Sequence, residues 1–581
     1  MRTRAPLRLS RPARTACAAA ASLALTSMAL TGLTAAPASA GTQAGTQAGG
    51  TGGTGAAEEG ALAPALPATP DWWKFDQTGP AIGEPSAPSD PALVAQTVRQ
   101  HQALTRTRSG LVAAAQDQEA ASAVVEARPS VTGYRKSGYP AKTIAVGKRP
   151  YDGGAVESLT DSGVHDSSGV RMYKVGTTMY NHPVAQAQYG LELLDDYRIS
   201  KDRRYLDRSR LQAQRLIDTR VESGGGWYYP YPFDFALHGR SYDLLKAPWY
   251  SAMAQGQALS LFTRLGTMTG DAKWKTAATA TYKSLTNAPQ VGQPSVTQVD
   301  ADKNLWFDEF APPVTATPSP TRPRGLDYTF NGHMFAVFGV YDYAKSRKEA
   351  APVSVLDGGM TLGRTLIGKI RTRSWISQYC LAHPDVHSKG YHSVHQGQGL
   401  HAHGMSGDSG FALYSDAFRE DYPTDTVRSS LRFYKGTHTG FRFSSTGAET
   451  ARKHLSLSAA SQAPVDARTR VLGKAIYYRV TAGALKGYWV PERYGKAGLI
   501  AQTGRHLYLI NRPVTLAAGT YNAYKFDRSG RNLGSRSLVL SRTSGTSTGE
   551  TAWIGGRKHA RIMAGSLAGY WLPVVAGVTI R

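Results

Sequence analysis

Part of this chain is written twice. PVAQAQYGLELLDDY followed by SKDRRYLDRSRLQAQRLI has the pattern of two helices joined by a short turn, and WYSAMAQGQALSLFTRLG followed by TGDAKWKTAATATYKSL repeats it. Ala185-Gln186 aligns with Ala254-Gln255, Asp202 with Asp271 and Tyr205 with Trp274, each pair 69 positions apart. A third helix, FNGHMFAVFGVYDYAK, begins with the same kind of small-residue opening, at Gly332. Apolar residues recur at helical spacing in all three. One helical hairpin cannot bury its own apolar face, so repeated hairpins must stack on one another. The loops between them, GGGWYYPYPFDF and NLWFDEFAPP, are rich in aromatics and carboxylates. Tandem hairpins with such loops predict an α/α toroid with a cleft at one end.

A second repeat, of longer period, follows. Gly436-Thr437 and Phe443 align with Gly519-Thr520 and Phe526, and the Tyr488-Trp489 pair aligns with Tyr570-Trp571. Trp489 and Trp571 are 82 apart and Phe443 and Phe526 are 83 apart, so one indel separates the copies. Alternating segments such as YYRVTAG read as strands, which makes these two small β modules. The paired aromatics are either core residues or ligand-binding ones; buried Trp and Tyr are common in small β domains. The GYW-P pattern resembles repeats at the ends of secreted bacterial wall-associated proteins.

The rest of the chain supplies the frame. Arg2, Arg4, Arg8, Arg11 and Arg14 precede an apolar stretch from Ala18 to Leu33 and the small-residue motif Ala38-Ser39-Ala40. That order is a secretory signal over residues 1–40, so the mature protein is expected to be secreted, extracellular or wall-associated. Residues 41–130 read as a low-complexity linker. Residues 131–430 form the main domain, with β-hairpin elements to about residue 179, signalled by YDGG and DSSG, and helices thereafter. The β modules span 431–505 and 506–581. The fold class is thus multidomain α plus β. Cys17 leaves with the signal, so Cys380 stands alone and no intramolecular disulfide is expected. The net charge of +25 favours polyanions. No zinc-finger spacing, RNA-binding aromatic motif or compact basic helix accompanies it, which argues against nucleic acid.

APWYSAMAQGQALSLFTR (Ala247 to Arg264) resembles the signature helix of the D-glucuronyl C5-epimerase family, which converts glucuronate to iduronate within heparin-like chains. PVAQAQYGL, LWFDEF, FNGHMFAVFGVYDY, SQYCLAH and KGYHSVHQGQ resemble further segments of that family, in order, so the likeness runs from about Gly133 to Tyr422. The resemblance implies an α/α-toroid catalytic domain and inversion at C5 of a uronate. The C5 proton leaves one face and one returns to the other, with charge developing on the adjacent carboxylate. A base, an acid and groups that stabilise the carboxylate are required, and no cofactor. Polysaccharide, possible wall glycan at the β modules and a homodimer are the partners compatible with it.

By the same resemblance Tyr379 and Tyr391 fall on the family's acid/base tyrosines and Glu309 on its loop glutamate. Asp308 and Glu309 also read as a solvated loop pair. A basic tyrosine needs nearby cations to lower its pKa. Where the family has an arginine three residues after the first tyrosine, this chain has Ala382, and Phe310 replaces a tyrosine. His383, Lys389, His392, His395 or Arg264 is expected to supply the missing charge, and Asn331 and Gln257 to join them in substrate binding. The run His383, His387, His392, His395, His401, His403 fits no standard zinc spacing, so no metal is expected. A lyase, which would take the same C5 proton but expel the group at C4, and a non-catalytic glycan binder are the competing readings.

Overall fold

A computed structural model describes residues 128–581 apart from 154–155, 157–158, 160–162, 241–242, 315–326, 425, 500–502 and 528–530. The expected signal and nearly all of the expected linker therefore lie outside the described residues. Among the described residues, no helix is long and apolar enough to cross a membrane.

A two-stranded hairpin, β1 (Met172–Val175) and β2 (Thr178–Asn181), leads into four helical hairpins, whose connecting loops carry the short strands β3 (Val221–Ser223), β4 (Gly226–Tyr228), β5 (Phe235–Ala236), β6 (Leu244–Leu245), β7 (Thr297–Val299) and β8 (Leu305–Phe307). The helical hairpins are α1 (Pro183–Ser200) with α2 (Arg203–Asp218), α3 (Ala252–Thr269) with α4 (Ala272–Ser284), α5 (Phe330–Arg347) with α6 (Ala350–Lys369), and α7 (Lys389–Ser406) with α8 (Ser409–Asp421). The fourth hairpin continues the repeat beyond the three helices that the sequence showed. Each turn is two residues long and begins in the left-handed region, at Lys201, Gly270, Lys348 and Gly407. In three of them an aspartate then caps the returning helix, Asp202, Asp271 and Asp408 each accepting a backbone N–H. Such a side-chain acceptor satisfies one of the donors that a helix start leaves open.

The first helices of successive hairpins pack in the order α1, α3, α5, α7, and α2, α4, α6 and α8 lie outside them. Between α3 and α5 the backbones touch. A Cβ on Gly256 would lie 2.4 Å from Ala336 Cα, and one on Gly339 would lie 2.2 Å from the Gly256 carbonyl oxygen. Glycine is needed at both positions because nothing larger fits. The inner helices are buried nearly all round, α3 from Ala252 to Gly266 and α5 from Phe330 to Ala344.

The segment before the hairpin departs from expectation. Residues 128–152 do not pair as β hairpins; they form an extended strap across the stack. Val131 N–H bonds to Thr286 O and Lys142 N–H to Met405 O. Ser137, Gly138 and Tyr139 all donate backbone N–H groups to the Asp357 carboxylate. Arg128 is buried, its guanidinium donating to Ser223 Oγ and to the carbonyls of Ala288 and Pro294. The hydrogen bonds of this strap thus go to the helical stack instead of to a sheet of its own.

Two seven-stranded antiparallel sheets follow. The first comprises β9 (Thr426–Phe433), β10 (Gly436–Phe443), β11 (Glu449–Leu457), β12 (Ser461–Arg470), β13 (Ile476–Val480), β14 (Trp489–Pro491) and β15 (Ala497–Leu499). The second comprises β16 (Thr503–Leu516), β17 (Gly519–Phe526), β18 (Asn532–Leu540), β19 (Ser544–Ile554), β20 (Arg557–Ile562), β21 (Trp571–Pro573) and β22 (Val578–Ile580). The strand orders, β11-β10-β14-β13-β12-β9-β15 and β18-β17-β21-β20-β19-β16-β22, are the same order twice. Trp489 and Trp571 begin equivalent strands, Trp571 buried and Trp489 half-buried under Arg479. Both sheets are fixed to α8. Arg470 donates to the carbonyls of Glu420 and Asp421, while Asp416 accepts from His506, Tyr508 and Arg512.

Candidate active site

The inner helices share a construction at their N-terminal ends. His182, Ser251 and Ser388 cap α1, α3 and α7 by accepting the backbone N–H three residues on. At the fourth position of α3, α5 and α7 stands a buried polar strut: Gln255, His333 and His392. Each accepts a backbone N–H from the loop that enters its helix, from Tyr229, Phe307 and Ser377 at 3.0, 3.2 and 2.9 Å. Each also donates outward to its own hairpin, Gln255 to Ser284 Oγ, His333 to Gly359 O and His392 to Phe418 O. The struts hold the three loops at the same height, and two residues beyond the anchored N–H come Tyr231, Glu309 and Tyr379.

Repeated geometry thus brings one residue of each loop to the mouth of the inner helices. Tyr379 donates its phenol hydrogen to Glu309 Oε1 at 3.0 Å, and Asn331 Nδ2 donates to Oε2 at 3.0 Å. The Tyr391 ring meets that of Tyr379 edge to face, with centroids 4.6 Å apart. Tyr391 occupies the third position of α7, where the other inner helices carry Ala185, Ala254 and Gly332. The small residue matters at Gly332: a Cβ there would lie 2.4 Å from the Glu309 side chain. Tyr231 is stacked on Trp249, with ring centroids 3.8 Å apart.

All four groups are buried: Tyr231 is 2% exposed, Glu309 7%, Tyr379 4% and Tyr391 6%. Burial raises the Glu309 pKa, the neighbouring Thr329 hydroxyl and the hydrogen bonds from Tyr379 and Asn331 oppose it, and the result is about 7. A carboxyl at that value is poised to exchange a proton near neutral pH. The tyrosines do not become acidic. Burial first, then the charge of Glu309, pushes Tyr379 and Tyr391 above the ordinary phenol value. No neighbouring cation makes either phenol acidic, and Glu309 is the group of the three whose pKa lies near neutrality. Glu309 is likewise no solvated loop residue.

The expected cationic helpers are distributed otherwise. Arg264 is consumed inside the fold, bonded to Asp342 at 2.8 Å, Asp152 at 3.0 Å and the Pro150 carbonyl at 2.7 Å. His392 is the strut just described. His395 accepts or donates at Ser377 Oγ and packs between Phe330 and Phe418. Burial drives both imidazoles below their ordinary value, His392 to about 4, so neither carries charge. Gln257 is fully buried within α3. Lys389 is the first residue of α7 and only partly buried.

His383 lies beside the site, in a cluster that no sequence spacing revealed. Its Nδ1 lies 2.6 Å from Asp327 Oδ1 and its Nε2 3.0 Å from Asp243. His238 Nε2 lies 2.8 Å from Asp327 Oδ2, and its ring meets Tyr379 edge on at 5.4 Å. Cys380 Sγ stands 3.3 Å from His383 Nδ1 and 3.6 Å from His238 Nε2. Burial lowers the His383 pKa, but the two aspartates overcome it and raise the value to about 9. The other histidines of the run serve backbone carbonyls, His387 that of Ile376, His401 that of Gly397 and His403 that of Asp408.

Residues 226–420 match the family model described as the D-glucuronyl C5-epimerase C-terminus, a span that contains Tyr231, Glu309, Asn331, Tyr379 and Tyr391. Among solved structures, a family 76 glycoside hydrolase from a bovine Bacteroides thetaiotaomicron strain is 12% identical at a TM-score of 0.30, over 43% of this chain and 50% of that one. The cellobiose 2-epimerase of Bacillus thermoamylovorans is 11% identical at a TM-score of 0.31, over 44% and 65%. A D-mannose isomerase gives the same values. The chain thus spans about half to two thirds of these proteins, and the likeness at such scores carries no argument about reaction.

Proposed function

We propose that the hairpin stack is an α/α toroid that inverts C5 of glucuronate units in an acidic polysaccharide. The observation that carries the reading is the Glu309–Tyr379–Tyr391 cluster inside the segment that matches the C5-epimerase family. Removing a C5 proton leaves an electron pair that moves into the C5–C6 bond and onto the carboxylate oxygens. Returning a proton to the opposite face restores the uronate with C5 inverted, and no atom is gained or lost overall.

Glu309, ionised above about pH 7, takes the proton, either directly or through the Tyr379 phenol that it already holds. Tyr391, kept neutral by burial and by the charge of Glu309, returns one. The inner helices begin at this end, and their N-termini favour negative charge, including that which grows on the substrate carboxylate. The excess of basic residues suits attraction of a polyanionic chain. We propose too that the protein is exported and that its β modules hold it near a glycan surface.

The reading is tested by incubating the full chain with heparosan and other glucuronate polymers and following the uronate signals by NMR. Iduronate in chains of unchanged length supports it. Shortened chains with unsaturated ends would establish a lyase, and unchanged glucuronate on every polymer would leave a glycan binder.

A further inference from the structure

We propose that His238, Asp327, Cys380 and His383 form a binding site for a divalent transition ion, with zinc the natural occupant. Their ligand atoms all lie within 4.8 Å of one another. Two imidazole nitrogens, one sulfur and one carboxylate are a donor set that suits zinc in four-coordinate geometry. Around zinc, bonds of about 2.0–2.3 Å put neighbouring donors roughly 3.3–3.7 Å apart. The sulfur-to-nitrogen separations of 3.3 and 3.6 Å already meet that spacing. Asp327 sits closer to the two imidazoles, at 2.6 and 2.8 Å, as hydrogen-bonded partners do, and needs to move by less than about 1 Å to share an ion with them.

The ligands come from three separate segments, and the backbone fixes them together. Cys380 and His383 stand three residues apart on one turn. That turn is pinned to the Asp327 segment by Leu381 N–H on Tyr328 O and Ala382 N–H on Asp327 O. His238 takes a left-handed backbone, φ 54°, as does Tyr328 beside Asp327, also at φ 54°. Such conformations are uncommon outside glycine and are kept where the surroundings dictate them. Asp243 holds the second nitrogen of His383, the arrangement by which a carboxylate orients a metal-binding imidazole. Cys380, Asp327 and the His238 side chain are buried, and the His383 side chain is 16% exposed, so the His383 side is where an ion enters.

The sequence offered no such reading because only Cys380 and His383 are near one another in the chain. The site stands on donor geometry alone and not on the reaction proposed above, so metal binding and C5 inversion can fail separately. It would set a cation against the Tyr379 ring, in the loop where the resembled family carries an arginine and this chain has Ala382.

The test is metal content and cobalt spectroscopy of the purified full chain. Protein prepared with zinc present is expected to hold about one ion per chain after desalting. Cobalt exchanged into it should give a near-ultraviolet charge-transfer band from the Cys380 thiolate and visible bands of a four-coordinate ion. Cys380→Ser should abolish the charge-transfer band, and His383→Gln should lower metal content at least about tenfold while circular dichroism shows the fold intact. The second variant decides the matter if the first does not fold. Wild-type protein that is folded yet retains less than about a tenth of an equivalent of zinc or cobalt overturns the proposal.

Discussion

Glu309 and Tyr379, 70 residues apart in the chain, share a 3.0 Å hydrogen bond that closes the mouth of the inner helices. The bond ties a carboxyl with a pKa of about 7 to a phenol that burial keeps protonated. Turnover that depends on the carboxylate should therefore rise with pH and reach half its plateau near pH 7, a limb missing from Glu309→Gln. Stability should run the other way. A folded pKa raised above the unfolded one gives stability that is complete below the ordinary glutamate value and lost as pH rises through about 7. The loss is roughly 3 kcal/mol, measurable as a fall in denaturant midpoint between pH 4 and pH 8 that Glu309→Gln lacks.

The three tyrosines at this end should separate by role. Tyr379→Phe and Tyr391→Phe remove phenols of the proton-transfer cluster and should each cost about 10²–10⁴ in kcat, the usual worth of a positioned acid or base. Tyr231→Phe removes a phenol whose ring is held on Trp249, and should cost less than about tenfold. Equal losses in all three would place Tyr231 in the chemistry as well.

The struts predict an exchange between repeats. Gln255 does in the second hairpin what His392 does in the fourth, accepting a loop N–H and donating to the outer helix. His392→Gln should keep both bonds and change stability by less than about 1 kcal/mol. His392→Ala leaves the buried Ser377 N–H unmet, while the Phe418 carbonyl keeps the Tyr422 N–H, and should cost about 1–3 kcal/mol. Chemical denaturation of the two variants side by side checks this. Equal destabilisation would show that packing and not hydrogen bonding is the function of the position.

Much of this could be read in the sequence and some could not. The 69-residue spacing that aligned Ala185-Gln186 with Ala254-Gln255 is the third and fourth positions of α1 and α3, a small residue and then a glutamine, which in α3 is the strut. Gly332 and His333 continue the pattern at α5, and the small residue was visible there. At α7 the pair becomes Tyr391-His392, and the change from small residue to tyrosine hides the fourth repeat. Extending the alignment by one hairpin would have marked Tyr391 as an aromatic in a slot otherwise kept empty and His392 as structural. Tyr231 was equally findable, since it stands at the loop position of Glu309 and Tyr379. The strap over residues 128–152 was not, because its partners, among them the Thr286 and Met405 carbonyls and the Asp357 carboxylate, are scattered over loops and helices and leave no periodic trace. The cluster of His238, Asp327, Cys380 and His383 escaped for a similar reason: it is assembled by tertiary contact.

The attachment of the second sheet to the stack centres on one carboxylate, that of Asp416. Burial opposes ionisation of Asp416, yet Lys558 and Arg512 hold its pKa well below the ordinary aspartate value. His506, driven by burial to about 3, stays neutral and donates to Asp416 Oδ1 at 2.6 Å. Asp416→Ala would leave Arg512 and Lys558 without their buried partner and should cost about 3–5 kcal/mol. The stabilisation is present above the ordinary aspartate value and disappears as pH falls through the depressed one. Thermal unfolding should accordingly show the variant gap narrowing in acid.

The most direct test of the account is exchange at carbon. With heparosan in heavy water, the wild-type chain is predicted to place deuterium at uronate C5 in polymer of intact length, in both glucuronate and iduronate units. Tyr379→Phe, folded by circular dichroism, should place none above background. Undiminished exchange in that variant would contradict the assignment of the Glu309–Tyr379 pair, and absence of exchange in the wild type on every glucuronate polymer would contradict C5 inversion itself.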